Sequence, residues 1–444
     1  MKTQSSRLRI AGILAGFLLL LLFIPMSPLF RAQSDENYDH GIIAYSKTEP
    51  TDPIALLQKR MDSGKVRLQF EPRLGYLRSI LRELNVPISS QSMVFSKTSF
   101  QFTQIAPGRP RALYFNDEVY VGYVQGSRIL EFASSDPKLG AVFYTLEEED
   151  NVQPRFKREV YFCLICHDNS TITGGIPGFM TLSVLPDKDG NAIRSAPSNA
   201  MSDQTPFNER WGGWYVTGTH GNQRHRGNVT LPPNAPSLLP RMDWSKGANL
   251  DTLIGKIDAT DYLTPHSDIV ALIALTHQTR MHNLITKASY ETQYALRDDA
   301  SVNTGLTQSG PYSPITAERI RRVVEPLVRG MFFINETPLT DPVRGKSGFA
   351  AEFEKSGIRD RKGRSLKDLD LNHRFLRYPL SYLIYSQAFD ALPAPAKDLF
   401  YQRVNAILAG TDTRDFGHLS DDDRAAIYEI LLDTKPDFAR VARK

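Results

Sequence analysis

The sequence predicts an α+β protein with an N-terminal antiparallel β meander, a loop-rich middle region and a mostly α-helical C-terminal part. Three observations lead to this prediction. Short aromatic and β-branched runs alternate with turn-forming pairs between residues 111 and 147. Residues 168–245 are rich in Gly, Pro, Asn and Ser and show little periodicity. After Pro265, apolar residues recur at helical spacing.

The meander is predicted from four runs with strong strand propensity. They are RALYF (111–115), EVYVGYV (118–124), RILEFA (128–133) and AVFYTLE (141–147). Pairs such as Asn116-Asp117 and Gln125-Gly126 separate the runs, and these residue types favour tight turns. A further strand-like run, Glu159–Phe162, leads directly into the two cysteines of the chain.

The helical part begins with a long helix predicted from His266 to about Arg297. Ser267 is expected to cap it, and residues such as Val270 and Ala274 share one apolar stripe. Other helices are predicted at Pro53–Ser63, Ile315–Ile334, Tyr378–Ala391, Ala396–Leu408 and Asp421–Leu432. The charged stretch 352–368 is interpreted as a solvated loop between helices.

Composition limits the class of protein. The 444 residues are 41% hydrophobic and 23% charged, which is typical of a globular protein and excludes a disordered or fibrous chain. A net charge of +4 is too weak to indicate a nucleic-acid partner. Five regions are predicted: a leader (1–32), a tether with short helices (33–98), a β-rich region (99–160), a region containing the cysteines (161–300) and a helical C-terminal region (301–444).

The first 32 residues predict either a signal peptide or an N-terminal membrane anchor. A basic head precedes an apolar run, Ile10–Met26, and an acidic stretch follows it. Cleavage after Ala32 would place the bulky Phe30 where a small residue is preferred, so a retained anchor is favoured. The charge distribution puts the body of the protein outside the cytoplasm and makes the membrane an expected partner.

The two cysteines stand in the segment Cys163-Leu-Ile-Cys166-His167. Two thiols at this spacing can each bond one vinyl group at a haem edge, and the histidine that follows can then ligate the iron. In this motif the chain resembles c-type cytochromes. The resemblance implies one covalently attached haem c on Cys163 and Cys166, with His167 as the proximal ligand, and makes 161–300 the haem c-binding region.

Three other interpretations of the cysteines stay open. A thioredoxin-like redox pair uses the same spacing, but it needs a helix after the first thiol, and Gly174 and Pro177 disfavour a long one. A structural zinc site needs four ligands, and the chain has no third cysteine. A plain disulfide between Cys163 and Cys166 is the third possibility.

The second axial ligand would decide what such a haem does. A strong ligand produces an electron carrier, whereas an absent one leaves an open iron. His277 and His220 are the preferred candidates: His277 lies on the apolar stripe of the long helix, and His220 lies in a Gly-rich segment. Met180 and Met201, downstream of the motif, are the alternatives.

The segment 211–228 combines aromatic residues, glycines and histidines. Trp211 and Trp214 are expected to pack on the porphyrin, and Arg224 to pair with a haem propionate. The predicted function is electron transfer by a membrane-tethered monohaem cytochrome with an unidentified redox partner. The alternatives are a peroxidase- or oxidase-like haem enzyme, in which Arg224 and His225 would act on bound peroxide, and a redox sensor.

Two longer phrases, RWGGWYVTGTHG and HSDIVALIALTHQTRMHNLI, resemble segments of large exported bacterial proteins with a single cytochrome c domain. The likeness extends from about Ser99 to Ala391. It implies an exported protein and no particular activity. Together with the leader, it predicts a periplasmic location in which the N-terminal helix anchors the protein to the inner membrane. The chain is about four times longer than a small cytochrome module of roughly 100 residues requires.

Overall fold

The computed structural model describes residues 38–150, 153–232, 239, 242–302 and 311–443. This part of the chain contains a six-stranded antiparallel sheet, a two-stranded ribbon and ten α-helices, most of them in the C-terminal part, so the predicted α+β class is confirmed. The predicted leader, residues 1–32, lies outside the described residues. Within the described residues, no helix combines the length and the apolar character that crossing a membrane requires.

The bounds of the elements are as follows. The strands are β1 (Ser92–Val94), β2 (Arg111–Phe115), β3 (Val119–Val124), β4 (Ile129–Asp136), β5 (Gly140–Glu147), β6 (Lys157–Arg158), β7 (Leu182–Ser183) and β8 (Asn199–Ala200). The helices are α1 (Pro53–Asp62), α2 (Leu77–Glu83), α3 (Leu164–His167), α4 (Ile269–Val302), α5 (Pro314–Met331), α6 (Phe349–Lys355), α7 (Gln387–Asp390), α8 (Ala394–Leu408), α9 (Asp421–Thr434) and α10 (Pro436–Ala442).

The large sheet is a meander in which each strand pairs with the next one along the chain, from β1 to β6. The four predicted runs form β2 to β5, as the turn-forming pairs between them indicated. The carboxamide oxygen of Asn116 accepts from the backbone N–H groups of Glu118 and Val119, which closes the β2–β3 turn. The strand-like run Glu159–Phe162 is not a strand, because pairing with β5 ends at Arg158.

The two faces of this sheet have different surroundings. One face, including Tyr114 and Val121, packs with the N-terminal helices in one buried apolar cluster. The other face carries Phe115, Tyr120 and Phe143, which join a larger cluster that also contains residues of α4 and of the C-terminal helices. The register places all three side chains on the same face, since Tyr120 and Phe143 both flank the same β4 residue.

Helix α4 is the longest element and begins three residues later than predicted. Asp268 caps it, because its carboxylate accepts from the N–H groups of Val270 (2.8 Å) and Ala271 (3.3 Å). The expected cap, Ser267, instead donates its hydroxyl to the Tyr215 carbonyl at 2.6 Å. A polar cap at the start of the helix is therefore present, but the capping residue is Asp268, one residue after the predicted Ser267.

Two C-terminal predictions need correction. Residues 378–391 form a 3₁₀ turn, Tyr382–Tyr385, followed by the short α7, because Pro379 cannot continue a helix and Ser386 caps a new one. The charged stretch 352–368 is not simply a solvated loop. It starts inside α6, and its Lys367 is buried and lies 2.7 Å from the carboxylate of Asp117.

Candidate functional site

The cysteines lie on a single helical turn after the sheet. Cys163 occupies the N-cap position of α3, and its carbonyl accepts from the N–H of His167 at 3.0 Å. This turn places Cys163 and Cys166 three residues apart on neighbouring parts of one surface. Both are free thiols, Cys163 half-buried and Cys166 exposed.

The surroundings keep both thiols protonated. Burial raises the pKa of Cys163 to about 12, and the carboxylates of Glu131 and Glu159 act in the same direction. Burial also raises the pKa of Cys166. A thioredoxin-like pair needs the opposite environment, one that lowers the pKa of the attacking thiol, so these electrostatics disfavour that interpretation.

His167 is held in one orientation by a backbone carbonyl. Its Nδ1 lies 2.9 Å from the oxygen of Gly178, and a carbonyl only accepts, so Nδ1 carries the hydrogen and Nε2 carries the lone pair. Burial lowers the pKa of His167 to about 4, which keeps the ring neutral. Nε2 has no hydrogen-bond partner in the described part of the chain. Metal-binding histidines have this arrangement: one nitrogen is fixed by a carbonyl and the other is free.

The carbonyl that accepts from His167 belongs to a tightly held peptide. The Gly178 N–H donates to the His167 carbonyl at 2.9 Å. The next residue, Phe179, is bonded at both backbone groups by the Asn283 side chain of α4, with both distances 2.8 Å. A Cβ at Gly178 would approach Asn283 Oδ1 and the Thr173 side chain to 2.7 Å, so only glycine fits there without a shift.

A polar row on the sheet faces the same region. The Nη2 atom of Arg111 lies 2.6 Å from the carboxylate of Glu131. Both residues act on the pKa of Cys163, which Glu131 raises and Arg111 lowers. Gly122 lies between them on β3, where a Cβ would come within 2.4 Å of the Arg111 guanidinium. The Arg111 Nε is buried without a hydrogen-bond partner among the described residues. Arg111 was missed because only the register of the strands shows which residues share this face.

The segment around the cysteines exposes large apolar side chains. Tyr161 is 70% exposed, Phe162 52% and Ile165 57%. We call these three residues the apolar patch. Single exposed apolar residues are normal, but three within the stretch 161–165 indicate a surface that something else covers.

The predicted porphyrin-contacting tryptophans are instead enclosed by protein. Trp211 has no exposed surface, and its ring packs against those of Phe207 (5.2 Å between centroids) and His225 (5.5 Å). Trp214 is also buried and donates its indole N–H to the Leu182 carbonyl at 2.8 Å. Neither ring has a free face, so both are core residues in this structure.

His220 and His225 form a buried pair whose ring centroids are 4.8 Å apart. His220 Nε2 accepts from the backbone N–H of Asn249, and His225 Nδ1 accepts from that of Gly227. The lone pair of each neutral ring is thereby used, and the other nitrogen carries a hydrogen. Arg224 bonds carbonyls of its own turn. The structure therefore does not bring the predicted ligand His220, or Arg224, to His167.

His277 also lies in a separate buried cluster. Its ring stacks on Phe333 at 4.2 Å, and its Nε2 lies 2.8 Å from the Ser381 hydroxyl. Its Nδ1 faces the Asp203 carboxylate at 4.0 Å, which favours the tautomer with hydrogen on Nδ1 and a lone pair engaged by Ser381. His277 thus has no lone pair free for an iron ion. Ser381, His277 and Asp203 follow one another as in a hydrolase triad, but their burial leaves no access for a substrate.

Met180 and Met201, the alternative axial ligands, have different surroundings. The sulfur of Met201 is buried and accepts from the backbone N–H of Trp211 at 3.0 Å. Met180 is half-buried and follows Phe179, two residues after the glycine that bonds His167.

No cluster of three or more His, Cys, Asp or Glu side chains suited to a metal ion occurs among the described residues. Comparison of the chain with protein-family models, curated proteins and solved structures finds no match. Its function is therefore inferred from its own residues.

Proposed function

We propose that this protein is a single-haem c-type cytochrome that transfers electrons on the exported side of a bacterial inner membrane. The observation that carries the proposal is the geometry of His167. It follows two free thiols on one helical turn, and its Nδ1 is fixed by a carbonyl while its Nε2 lone pair is free. A covalent haem c needs this combination of groups.

Three residues would hold the cofactor: Cys163 and Cys166 through thioether bonds, and His167 through Nε2. When bound, haem c supplies a one-electron Fe(III)/Fe(II) couple. The Gly178 carbonyl keeps the imidazole proton on Nδ1 and makes the ring a better donor. Phe143, 4.5 Å from the His167 ring, limits its rotation from the sheet side.

The surroundings of the turn also fit a large, flat, apolar group with acidic substituents. The apolar patch, Tyr161, Phe162 and Ile165, supplies a surface that such a group would remove from water. Arg111 acts electrostatically on Cys163; its Nη2 pairs with Glu131, and its Nε, which has no hydrogen-bond partner among the described residues, is the donor we assign to an acidic substituent. Arg111 therefore replaces Arg224 as the residue we assign to the propionates.

The leader and the resemblance to exported cytochrome c-domain proteins support the proposed location. The apolar run Ile10–Met26 would retain the protein in the inner membrane, with its body in the periplasm, where covalent attachment takes place. The donor in the membrane and the acceptor protein are left unassigned.

The test is spectroscopic. The protein is exported in a host that matures c-type cytochromes, and absorption spectra and a pyridine haemochrome assay are recorded. We expect one covalent haem per chain, loss of covalent attachment in Cys163→Ser/Cys166→Ser, and a changed spin state in His167→Ala. His373→Ala is the matched control, since the His373 side chain is 86% exposed and, among the described residues, contacts only the carboxylate of Asp370. A colourless protein, or a pigment extracted by acidified acetone, would overturn the proposal.

A second function, a haem enzyme with an open distal side, is favoured by one observation. The nitrogen lone pairs of His220 and His277 and the sulfur of Met201 are already engaged within the protein. Carbon monoxide distinguishes the two functions. Rapid binding to the reduced protein indicates the enzyme, whereas the absence of binding indicates a carrier with a strong sixth ligand such as Met180.

A further inference from the structure

The long helix α4 is connected to the proximal histidine through one side chain. Asn283 projects from α4 and bonds both backbone groups of Phe179: its Oδ1 accepts from the N–H and its Nδ2 donates to the carbonyl, each at 2.8 Å. The peptide immediately before Phe179 carries the Gly178 oxygen that accepts from His167 Nδ1. Asn283 therefore fixes the plane of the peptide on which the orientation of His167 depends.

The other contacts of this segment leave that role to Asn283. On the sheet side, the Pro177 carbonyl accepts from the Ala141 N–H at a long 3.3 Å. On the side of α3, the Gly178 N–H bonds the His167 carbonyl, which moves together with the histidine. The Phe179 ring also packs against Tyr120 of β3 (4.9 Å) and His282 of α4 (5.1 Å), but these ring contacts do not hydrogen-bond the peptide. Among the described residues, Asn283 is the side chain that hydrogen-bonds this peptide from an element outside the turn 163–167.

We infer that Asn283 is a positioning residue that sets the strength of the His167–Gly178 hydrogen bond and, through it, the reduction potential of the bound haem. This inference rests on the proposed function. A strong Nδ1–H···O bond gives the imidazole more anionic character, which stabilises Fe(III) and lowers the potential. A loosened Gly178 peptide weakens the bond, so the potential rises.

The same helix offers two matched controls. Lys287 donates to the Gly174 carbonyl at 2.9 Å, so it ties the same loop to α4 without touching the Gly178 peptide. Gln293 bonds Ser289 within α4 at 3.1 Å. Lys287→Met therefore reports general loosening of the loop, and Gln293→Leu reports loss of a polar group from the helix.

The experiment compares Asn283→Leu, which keeps the approximate shape and removes both hydrogen bonds, with these controls and with the unmodified protein. The potential is measured by spectroelectrochemistry, and covalent haem is quantified by the haemochrome assay. We expect Asn283→Leu to retain covalent haem and to shift the potential in the positive direction. Gln293→Leu should keep the original potential, and Lys287→Met, which removes a cation paired with Glu291, should not shift it in the positive direction. An unchanged potential in Asn283→Leu, or an equal shift in Lys287→Met, would overturn the inference.

A second measurement separates failure of this inference from failure of the proposed function. In protein isolated without haem, hydrogen exchange of the Phe179 and Gly178 amides should accelerate in Asn283→Leu and not in Gln293→Leu. If no variant and no unmodified protein carries covalent haem, the proposed function fails while the exchange data still decide whether Asn283 holds the peptide. Unchanged exchange of both amides in Asn283→Leu would overturn the positioning role directly.

Discussion

Replacing Gly178 with alanine tests how tightly the acceptor for His167 is packed. The backbone of Gly178 is not in the left-handed region, so an alanine would meet steric resistance alone. Its Cβ would lie 2.7 Å from both Asn283 Oδ1 and Thr173 Cβ, closer than real Cβ contacts allow. Overpacking of this kind costs about 1–3 kcal/mol. Displacing Asn283 would also weaken two hydrogen bonds of about 1 kcal/mol each.

We therefore expect Gly178→Ala to lower the free energy of unfolding by about 2–4 kcal/mol, measured by urea denaturation. Gly108→Ala is the matched control, because nothing lies within 4 Å of a Cβ at Gly108 and its φ is not positive. We expect the control to stay within about 0.5 kcal/mol of the original protein. Equal stability of the two variants would refute the packing argument.

Three further predictions concern the buried histidines and the core. Burial lowers the pKa of His225 to about 3 and those of His277 and His282 to about 4. Below the ordinary pKa of 6.5 the unfolded chain therefore binds protons that the folded chain does not, so the free energy of unfolding decreases as the pH is lowered. Each histidine contributes about 1.4 kcal/mol per pH unit in that range, so urea midpoints at pH 7 and pH 5 should differ strongly. His282→Gln should reduce the difference, and an unchanged difference in this variant would contradict the prediction. Ser381→Ala leaves His277 Nε2 without a donor and should cost about 1–3 kcal/mol, whereas a cost near zero would show that the contact is unimportant. Trp211→Ala should lower the free energy of unfolding by about 3–5 kcal/mol because the ring has no exposed surface. Phe100→Ala is the control, since Phe100 is 62% exposed, and similar values for the two variants would contradict the assignment of Trp211 to the core.

The parts of the fold that sequence predicts well are those whose signal is local. Strands β2 to β5 come from aromatic and β-branched runs separated by turn residues such as Asn116, whose side chain closes the turn as its type indicates. The long helix was predicted for the same reason. Its start was misplaced because Ser267 and Asp268 are both good caps, and only the tertiary contact of Ser267 with Tyr215 shows which of them is used.

Of the candidate site, only the Cys163-Leu-Ile-Cys166-His167 motif was predictable from the sequence. The spacing of Cys163, Cys166 and His167 is visible in the chain itself. The carbonyl of Gly178 and the side chain of Asn283 are not, because their roles depend on how a loop lies against a helix that is distant in sequence. No residue pattern encodes that placement.

The segment around Trp211 misled for a physical reason. Aromatic rings and glycines together suit a porphyrin pocket, but they equally suit a core in which the backbone turns sharply. Trp211 has a φ of 63° and Gly213 a φ of 82°, so the chain reverses direction there and buries the tryptophan ring. The histidines of the same segment complete that core with their lone pairs on backbone N–H groups.

The larger apolar cluster joins residues as far apart in sequence as Val94 and Phe438, and α4 contributes to it along much of its length. A fragment cut at the boundaries 161–300 would carry Cys163 and His167 away from the sheet that includes Phe143 and from the helices that cover α4. Such a fragment would expose a broad apolar surface and would therefore aggregate or misfold. A smaller protein that preserves the surroundings of His167 therefore has to keep both the sheet and the helices. Grafting the turn 163–167 alone onto another scaffold would leave its histidine without Phe143 and the Gly178 carbonyl.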